Sequence, residues 1–363
     1  MALEFVTENV STFNHSCTHQ LEDFPKQCQE AVVDEDAREK VSHAVLIYIA
    51  SFTGSTGNLI VVTAMVVSLV RKRLLPLPIN IFVTTLCFAD LITSASFLPT
   101  LASSVALNYW PGGFHACTFM KSIAVTIQFA VVLILAVVAV CNYCLICQKR
   151  ETFDLLFSKR NCFAIILTVL CLSVLLAMPV FVSGKQEAYH VIVGECWFHM
   201  TNVSHHVHLY IYLRCIGLIY AVPLSTIIIA YSLIFRTVKK ARRKINVWAE
   251  PSNLKDEQRQ SEKAKEAAAR RENINLAFNM FVIFLAYIMC WTPITVLTVF
   301  SKHCTTFPPI LFRAAHVLMH SHPSITPIIY AWRNRNIRQM VVTTFHLHKC
   351  GCLMCTANVL PCS

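Results

Sequence analysis

Histidine is the residue type whose placement points most directly to chemistry in this chain. Four of the 15 histidines crowd one short stretch, namely His199, His205, His206 and His208. His205 and His208 lie three residues apart, so on a helix both imidazoles share a face and can bind a metal ion such as zinc. Because imidazole titrates near neutral pH, the same stretch can also sense protons. Solvated histidines without a role are the simpler interpretation, and the sequence predicts neither a defined metal site nor a cofactor.

The residue patterns of an enzyme do not occur in this sequence. It has no Ser-His-Asp order in a suitable context and no HExxH, and its 8 glycines provide no phosphate-binding loop. Asp90 is the only acid inside an apolar segment, whereas proton-coupled transporters and intramembrane proteases need further intramembrane acids. We therefore predict a protein that is not an enzyme.

The elements that position these residues are long apolar segments. Apolar residues make up 55% of the 363 residues and charged residues only 14%, against about 25% charged in soluble domains. Because a membrane helix needs about 20 residues, we predict an all-α membrane protein with a bundle of seven transmembrane helices. The predicted spans cover residues 41–70, 79–106, 114–147, 161–183, 207–236, 274–300 and 309–332.

The net charge of +11 is distributed by side of the membrane. The segments on one side hold 23 of the 31 Lys and Arg residues, which marks that side as cytoplasmic. Residues 1–40 contain nine acids and three bases, and glycosylation sequons begin at Asn9, Asn14 and Asn202 on the opposite side. We expect a multi-pass protein of the plasma membrane with an extracellular N-terminus and a cytoplasmic C-terminus, and no nucleic-acid partner.

Three regions follow from this topology. Residues 1–40 form a glycosylated extracellular segment, and with no apolar stretch before residue 41 we expect the first span to direct insertion. Residues 41–332 form the bundle. Its cytoplasmic loop, residues 237–273, is polar and is predicted to be helical near both ends. Residues 333–363 combine a short amphipathic helix with a cysteine-rich tail.

Polar residues and prolines recur at particular depths of the predicted spans. They are Gly57-Asn58, Leu86 to Asp90, Cys117, Cys196, Pro223, Tyr231, Cys290-Trp291-Thr292-Pro293 and Thr326-Pro327-Ile328-Ile329-Tyr330. In this order they resemble the motifs of the rhodopsin-like (class A) G protein-coupled receptors, over residues 41 to 350. The resemblance implies a receptor that converts ligand binding into helix motion and activates a heterotrimeric G protein, with arrestin as a further partner.

The same resemblance assigns roles to individual residues. It implies a disulfide between Cys117 and Cys196 and palmitoylation at Cys350, Cys352 and Cys355, while the pairing of Cys17, Cys28 and Cys304 stays open. Three of the prolines interrupt backbone hydrogen bonds and create hinges, and we expect Asn58 and Asp90 to hydrogen-bond each other or water. The implied activation switch comprises Asn58, Asp90, Cys141, Asn142, Tyr143, Pro223, Tyr231, Trp291, Pro293, Thr326, Pro327 and Tyr330.

The chain departs from the family pattern at its signalling motifs. Cys141-Asn142-Tyr143 replaces the acid-Arg-Tyr motif, and Thr326 stands where Asn is usual. Val131 and His322 occupy the family's sodium pocket near Asp90. We therefore expect weak sodium modulation and reduced or constitutive G protein coupling in an atypical member. The alternative is a receptor-shaped decoy, arrestin-biased receptor or heteromer partner that activates no G protein.

Two positions of the sequence argue against two classes of ligand. Ala124 stands where receptors for biogenic amines carry Asp, and His320 stands where opsins carry the retinal lysine. Cationic groups above an apolar floor suit a peptide or an acidic small molecule or lipid, with proton or zinc sensing through the outer histidines as a further alternative. The candidate pocket comprises Lys121, Ala124, Gln128, Trp291, Thr295, Arg313, His316 and His320.

Overall fold

The computed structural model describes residues 37–70, 78–182, 187–190, 193–198, 221–247, 257–300, 308–333 and 335–345. Several predicted sites lie outside these residues, so their assignments stay predictions. They are the sequons at Asn9, Asn14 and Asn202, the outer histidines from His199 to His208, and the cysteines Cys17, Cys28, Cys304, Cys350, Cys352 and Cys355.

Ten of the described elements account for a seven-span bundle. The first span is α1 (Ala37–Val70), and the second combines α2 (Pro78–Ile92), a π-helical turn (Thr93–Phe97) and α3 (Leu98–Leu107). The third, fourth, fifth and sixth spans are α4 (Gly113–Cys147), α6 (Lys159–Val182), α7 (Val222–Val247) and α8 (Glu257–Phe300). The seventh combines α9 (Pro309–His320) and α10 (His322–Arg333), and a short helix α5 (Arg150–Leu156) links the third span to the fourth.

Length and composition support membrane crossing. Within the described residues, six helices are each long and apolar enough to span a membrane. The seventh span is interrupted at Ser321, which leaves two helices of 12 residues each. Taken together, α9 and α10 reach the about 20 residues that a bilayer requires. The predicted all-α membrane bundle is thus confirmed.

The third span lies at the centre of the bundle. It packs against the second, fourth, fifth and sixth spans, while the first span packs against the second and the seventh. Large apolar side chains such as Phe52, Phe163 and Met289 face outward and are exposed. That arrangement suits a bundle in lipid, where outward apolar groups need no cover from water.

Gly57 allows the first and seventh spans to approach closely. A Cβ atom at this position would lie 2.6 Å from Cγ of Pro327. Side chains larger than hydrogen therefore do not fit between these two helices without a shift.

The chain ends its described part with α11 (Arg335–Thr344). Ile337, Met340 and Val342 are buried while Gln339 is exposed, and the helix contacts the first span. This is the short amphipathic helix expected after the seventh span.

A two-stranded hairpin is the main element that the sequence analysis does not predict. Strand β1 (Glu187–His190) pairs antiparallel with β2 (Glu195–Phe198), with Glu187 opposite Phe198 and His190 opposite Glu195. The turn between them contains Gly194 at φ +71°, where a Cβ atom would lie 2.4 Å from Cγ2 of Val105. We call the end of the bundle that carries β1, β2 and Cys117 the hairpin end, and the opposite end, with Asn142, the Asn142 end.

Candidate functional site

Glu195 is the centre of the polar cluster at the hairpin end. Its carboxylate is fully buried, and Oε2 accepts a hydrogen bond from the Lys121 ammonium of the third span. Its other oxygen, Oε1, lies 3.2 Å from Nε2 of His320 and 3.5 Å from Nε2 of His316 on the seventh span. One side chain thus connects the hairpin to two spans.

The local sequence explains how these groups meet. His316 and His320 are four residues apart on α9 and therefore lie on one helical face, with 3.2 Å between their Nε2 atoms. The tight turn at Gly194 precedes Glu195 directly, and the Gly194 carbonyl accepts a 2.8 Å hydrogen bond from Ser104 of the second span. The turn and this hydrogen bond fix Glu195 over the end of the bundle.

The electrostatics of the cluster favour the ionised carboxylate. Burial by itself raises the pKa of Glu195, but the Lys121 ammonium and the hydrogen bonds with His316 and His320 hold that pKa well below its usual range. The cluster therefore contains a buried negative charge at neutral pH, faced by one cation and two imidazoles.

The first span contributes two further polar groups. His43 is buried, and its Nε2 lies 3.2 Å from Nδ1 of His316. Glu39 accepts a hydrogen bond from the Arg313 guanidinium. Both cations of the predicted pocket are thus paired with carboxylates that the sequence analysis did not select.

Three of the remaining predicted pocket residues, Gln128, Trp291 and Thr295, make contacts separate from the Glu195 cluster. Gln128 donates a 2.8 Å hydrogen bond to the Tyr287 hydroxyl, and the Tyr287 ring stacks on Trp291 with centroids 5.8 Å apart. Thr295 donates to the Trp291 carbonyl within the sixth span. Ala124 packs against an apolar cluster at the hairpin end.

A cavity is lined by residues of the second, third, sixth and seventh spans. Asp90, Val131 and His322 are in its wall, and Oδ1 of Asp90 lies 3.5 Å from Nε2 of His322. An imidazole therefore occupies the position beside Asp90.

Of the two arrangements expected for Asn58 and Asp90, a direct hydrogen bond between them is not formed. Asn58 donates instead to the carbonyls of Gly54, at 2.9 Å, and of Pro323, at 2.7 Å. In an α-helix the carbonyl of residue 323 accepts from the N–H of residue 327, but Pro327 lies inside α10 and has no N–H, so the Pro323 carbonyl needs another donor. The Asn58 amide is therefore used by backbone acceptors, one of them across the first and seventh spans.

The Asn142 end carries the other predicted switch residues. Asn142 is fully buried, and its amide nitrogen lies 3.4 Å from the Tyr231 hydroxyl of the fifth span. Tyr231 contacts the Phe281 ring of the sixth span, with centroids 4.8 Å apart. Three spans thus meet through one amide and two rings.

The neighbours of Asn142 make more local contacts. Cys141 is a buried free thiol, and the Tyr143 hydroxyl accepts a 3.0 Å hydrogen bond from Gln148. On the seventh span, Thr326 bonds the His322 carbonyl, and the buried Tyr330 hydroxyl lies 3.8 Å from the Met280 sulfur. The Thr326 contact is thus internal to α10, whereas the Tyr330 contact connects α10 to the sixth span.

Comparison with known proteins identifies the family of this bundle. A family model described as "7 transmembrane receptor (rhodopsin family)" matches residues 57–330. The chain belongs to the rhodopsin family of seven-transmembrane receptors. Members of this family respond to an extracellular ligand and act through G proteins, and they are not enzymes.

The receptor is similar to several characterised members. It is 25% identical over 288 residues to melatonin receptor type 1A of Phodopus sungorus, which covers 78% of this chain and 74% of the relative. It is 26% identical over 306 residues to galanin receptor type 1 of Rattus norvegicus, covering 82% and 80%. The crystal structure of squid rhodopsin matches with a TM-score of 0.71 at 23% identity, covers 87% of this chain and 88% of that one, and supports the fold alone.

The predicted hinge prolines of the receptor occupy helical positions. Pro293 and Pro327 lie inside α8 and α10, and Pro223 lies in the first turn of α7 as described. Cys117 is disulfide-bonded, and strand β2, which carries Cys196, contacts the third span. The Cys196 side chain lies outside the described atoms, so its pairing with Cys117 stays a prediction.

Sequence reasoning missed Glu195, His43 and Glu39. The signal for Glu195 was its position next to Cys196, because a disulfide there would bring an adjacent acid to the end of the bundle. The four-residue spacing of His316 and His320 was equally readable as one helical face. No comparable signal marked His43 or Glu39, whose contacts depend on how the first span packs against the seventh.

Proposed function

We propose that this receptor transmits an extracellular signal across the plasma membrane to heterotrimeric G proteins by rearrangement of its helices, with coupling altered by Asn142. The observation that carries the proposal is the 3.4 Å contact between Asn142 and Tyr231. It stands where the family's acid-Arg-Tyr motif would place a charged side chain.

The physical argument concerns the strength of this contact. A neutral hydrogen bond contributes about 0.5–1.5 kcal/mol, roughly half of what a charged group contributes. Oδ1 of Asn142 is also buried without a hydrogen-bond partner among the described residues. A weak link between the third and fifth spans, with no arginine, supports altered basal activity.

The orientation of the receptor is part of this proposal. The basic segments between the spans support a cytoplasmic Asn142 end, and the acidic, sequon-bearing N-terminal segment supports an extracellular hairpin end. Arrestin binding at the Asn142 end is proposed on the family resemblance alone.

For the ligand, we propose a peptide or an acidic small molecule or lipid that binds at the hairpin end. Lys121 and Arg313 already pair with Glu195 and Glu39, so an acidic ligand would exchange with a carboxylate there. A peptide can carry both positive and negative groups and can therefore pair with both cations and both carboxylates of this region. This favours a peptide over a purely acidic ligand. A ligand screen with Lys121→Gln as the comparison tests this, and hits that bind both receptors equally would contradict the proposal.

The coupling proposal is tested by ligand-free activation of each Gα class in cells that express the receptor. Asn142→Arg restores the charge, and Tyr231→Phe removes the hydrogen bond without adding one. Thr152→Arg, an exposed position on α5, adds the same charge at the same end as a control. We expect several-fold changes in basal activation for Asn142→Arg and Tyr231→Phe and none for Thr152→Arg, all normalised to surface expression. Unchanged basal activation in both test variants would contradict the proposal.

A receptor-shaped protein without G protein activation is the second candidate. The complete burial of an uncharged Asn142 favours it, because a buried amide presents no cation to a cytoplasmic partner. In the same assay this candidate predicts no activation by the unmodified receptor and activation only after Asn142→Arg.

A further inference from the structure

We propose that Glu195, His316 and His320 form a binding site for a divalent transition-metal ion, with zinc as the preferred ion. The three ligand atoms are one carboxylate oxygen and two imidazole nitrogens, and all lie within 4.8 Å of one another in a buried cluster. This set is distinct from the outer histidines at residues 199–208.

The distances between the ligand atoms match the edges of a zinc tetrahedron. The three separations are 3.2 Å between the imidazoles, 3.2 Å from His320 to Oε1, and 3.5 Å from His316 to Oε1. Zinc bonds of about 2.0–2.1 Å place tetrahedral ligands about 3.3–3.4 Å apart. The cluster therefore has the dimensions of three corners of the coordination sphere, and water or a ligand would fill the fourth.

Hydrogen bonds alone satisfy this arrangement poorly. Each Nε2 atom carries at most one proton, and the ionised carboxylate carries none. If both imidazoles are protonated at Nε2, two N–H groups face each other. If only one imidazole is protonated at Nε2, the lone pair of the other Nε2 faces the carboxylate. A cation at the centre gives all three atoms a favourable partner.

The surroundings are those of a metal ligand set. Nε2 of His43 lies 3.2 Å from Nδ1 of His316 and can accept a hydrogen bond from an N–H at Nδ1. Nε2 of the neutral His316 ring then carries no proton, as metal binding requires. Lys121 contacts Oε2, the carboxylate oxygen that the proposed ion does not use. Its positive charge opposes a cation nearby, so we expect a regulatory affinity below that of a closed four-ligand structural site.

Metal binding at this place has a mechanical consequence. Glu195 belongs to the hairpin, whereas His316 and His320 belong to the seventh span. An ion held by all three would tie the hairpin to the seventh span within the predicted pocket. The inference goes beyond the proposed G protein coupling and does not depend on Asn142.

The experiment measures zinc binding by the full-length receptor, purified in lipid nanodiscs, in competition with a chromogenic chelator. We expect one equivalent of zinc to be lost in Glu195→Gln, His316→Ala and His320→Ala. Loss of an outer-shell partner typically lowers metal affinity by about 10–100-fold. Loss of a direct ligand should lower the zinc affinity of these variants by more than that. His115→Ala, an exposed histidine at the same end, serves as the matched control and should bind as the unmodified receptor does.

A second measurement keeps the proposal testable if an alanine variant does not fold. In His320→Cys a thiolate can replace the imidazole as a ligand, so cobalt should give a thiolate charge-transfer band that the unmodified receptor lacks. Three results would overturn the proposal: no zinc bound by the unmodified receptor, binding unchanged in the three ligand variants, or binding lost only on His205→Ala with His208→Ala.

Discussion

Asp90 of the second span and His322 of the seventh are both buried, with 3.5 Å between Oδ1 of the carboxylate and Nε2 of the imidazole. They share a cavity wall with Val131. Receptors of the family offer hydroxyl and amide oxygens in this place, where a sodium ion needs oxygen ligands. Here an apolar side chain and an imidazole nitrogen face the carboxylate instead.

We predict that sodium has little effect on the stability of this receptor, and that His322→Asn introduces a sodium effect. The asparagine would return an amide oxygen to the cavity and remove the competing imidazole. Replacing sodium by choline should leave the melting temperature of the unmodified receptor unchanged. It should lower that of His322→Asn by roughly 2–4 °C, which corresponds to about 1 kcal/mol.

His115→Asn makes the same chemical change at an exposed position and serves as the control. A clear sodium effect on the unmodified receptor would contradict this prediction, because the site would then hold sodium despite His322.

Gly57→Ala should destabilise the receptor. In a helix interior, Ala is ordinarily more stable than Gly by about 0.5–1 kcal/mol. Here the added methyl group would lie 2.6 Å from Cγ of Pro327, and overpacking of this kind costs about 1–3 kcal/mol. Thermal unfolding of the purified receptor checks the sign, with the exposed neighbour Thr56→Ala as control. A stabilised Gly57→Ala variant would mean that the first and seventh spans are not so closely packed.

The buried Glu195 carboxylate should stabilise the receptor in a pH-dependent way. Its folded-state pKa lies below the usual value of 4.5. The stabilisation is therefore fully present above about pH 4.5 and is lost as the pH falls through the lower folded value. Glu195→Gln should cost about 3–5 kcal/mol at neutral pH, because the Lys121 ammonium loses its buried partner.

This difference is measured by unfolding of both proteins with EDTA present, so that metal binding plays no part. It should stay constant down to about pH 4.5 and shrink below it. Glu151→Gln, at an exposed position, should show no comparable difference. A Glu195→Gln cost that persists unchanged into acid would show that the lost charge is not its cause.

The bundle itself was predictable because each span is recognisable from its own length and apolar composition. Length and apolar composition fix the number of membrane helices, since the backbone groups of a span in lipid are hydrogen-bonded mainly within its own helix. Motifs such as Trp291 with Pro293 and Thr326 with Pro327 were then sufficient to indicate the family. The interruption at Ser321 and the hairpin before Phe198 were missed, because both arise from contacts rather than from local pattern.

The candidate site was only partly predictable for the same reason. Lys121, His316 and His320 were selected as single cationic or polar groups within membrane spans. What they do depends on Glu195, which enters from a loop, and on His43, which is 273 residues from its partner His316. A contact between distant segments leaves no periodicity in the sequence, so no pattern could show that the cations were already paired.

The sequence by itself determined the number of spans, the distribution of charge between the two sides, the receptor family and the absence of Arg at position 142. These depend on composition and on local order along the chain. Only the tertiary structure decided that Asn58 bonds the Pro323 carbonyl, that His322 faces Asp90, and that Glu195 lies between Lys121 and two imidazoles. Side chains meet according to how the helices pack, and packing brings together residues whose separation along the chain carries no information about their distance.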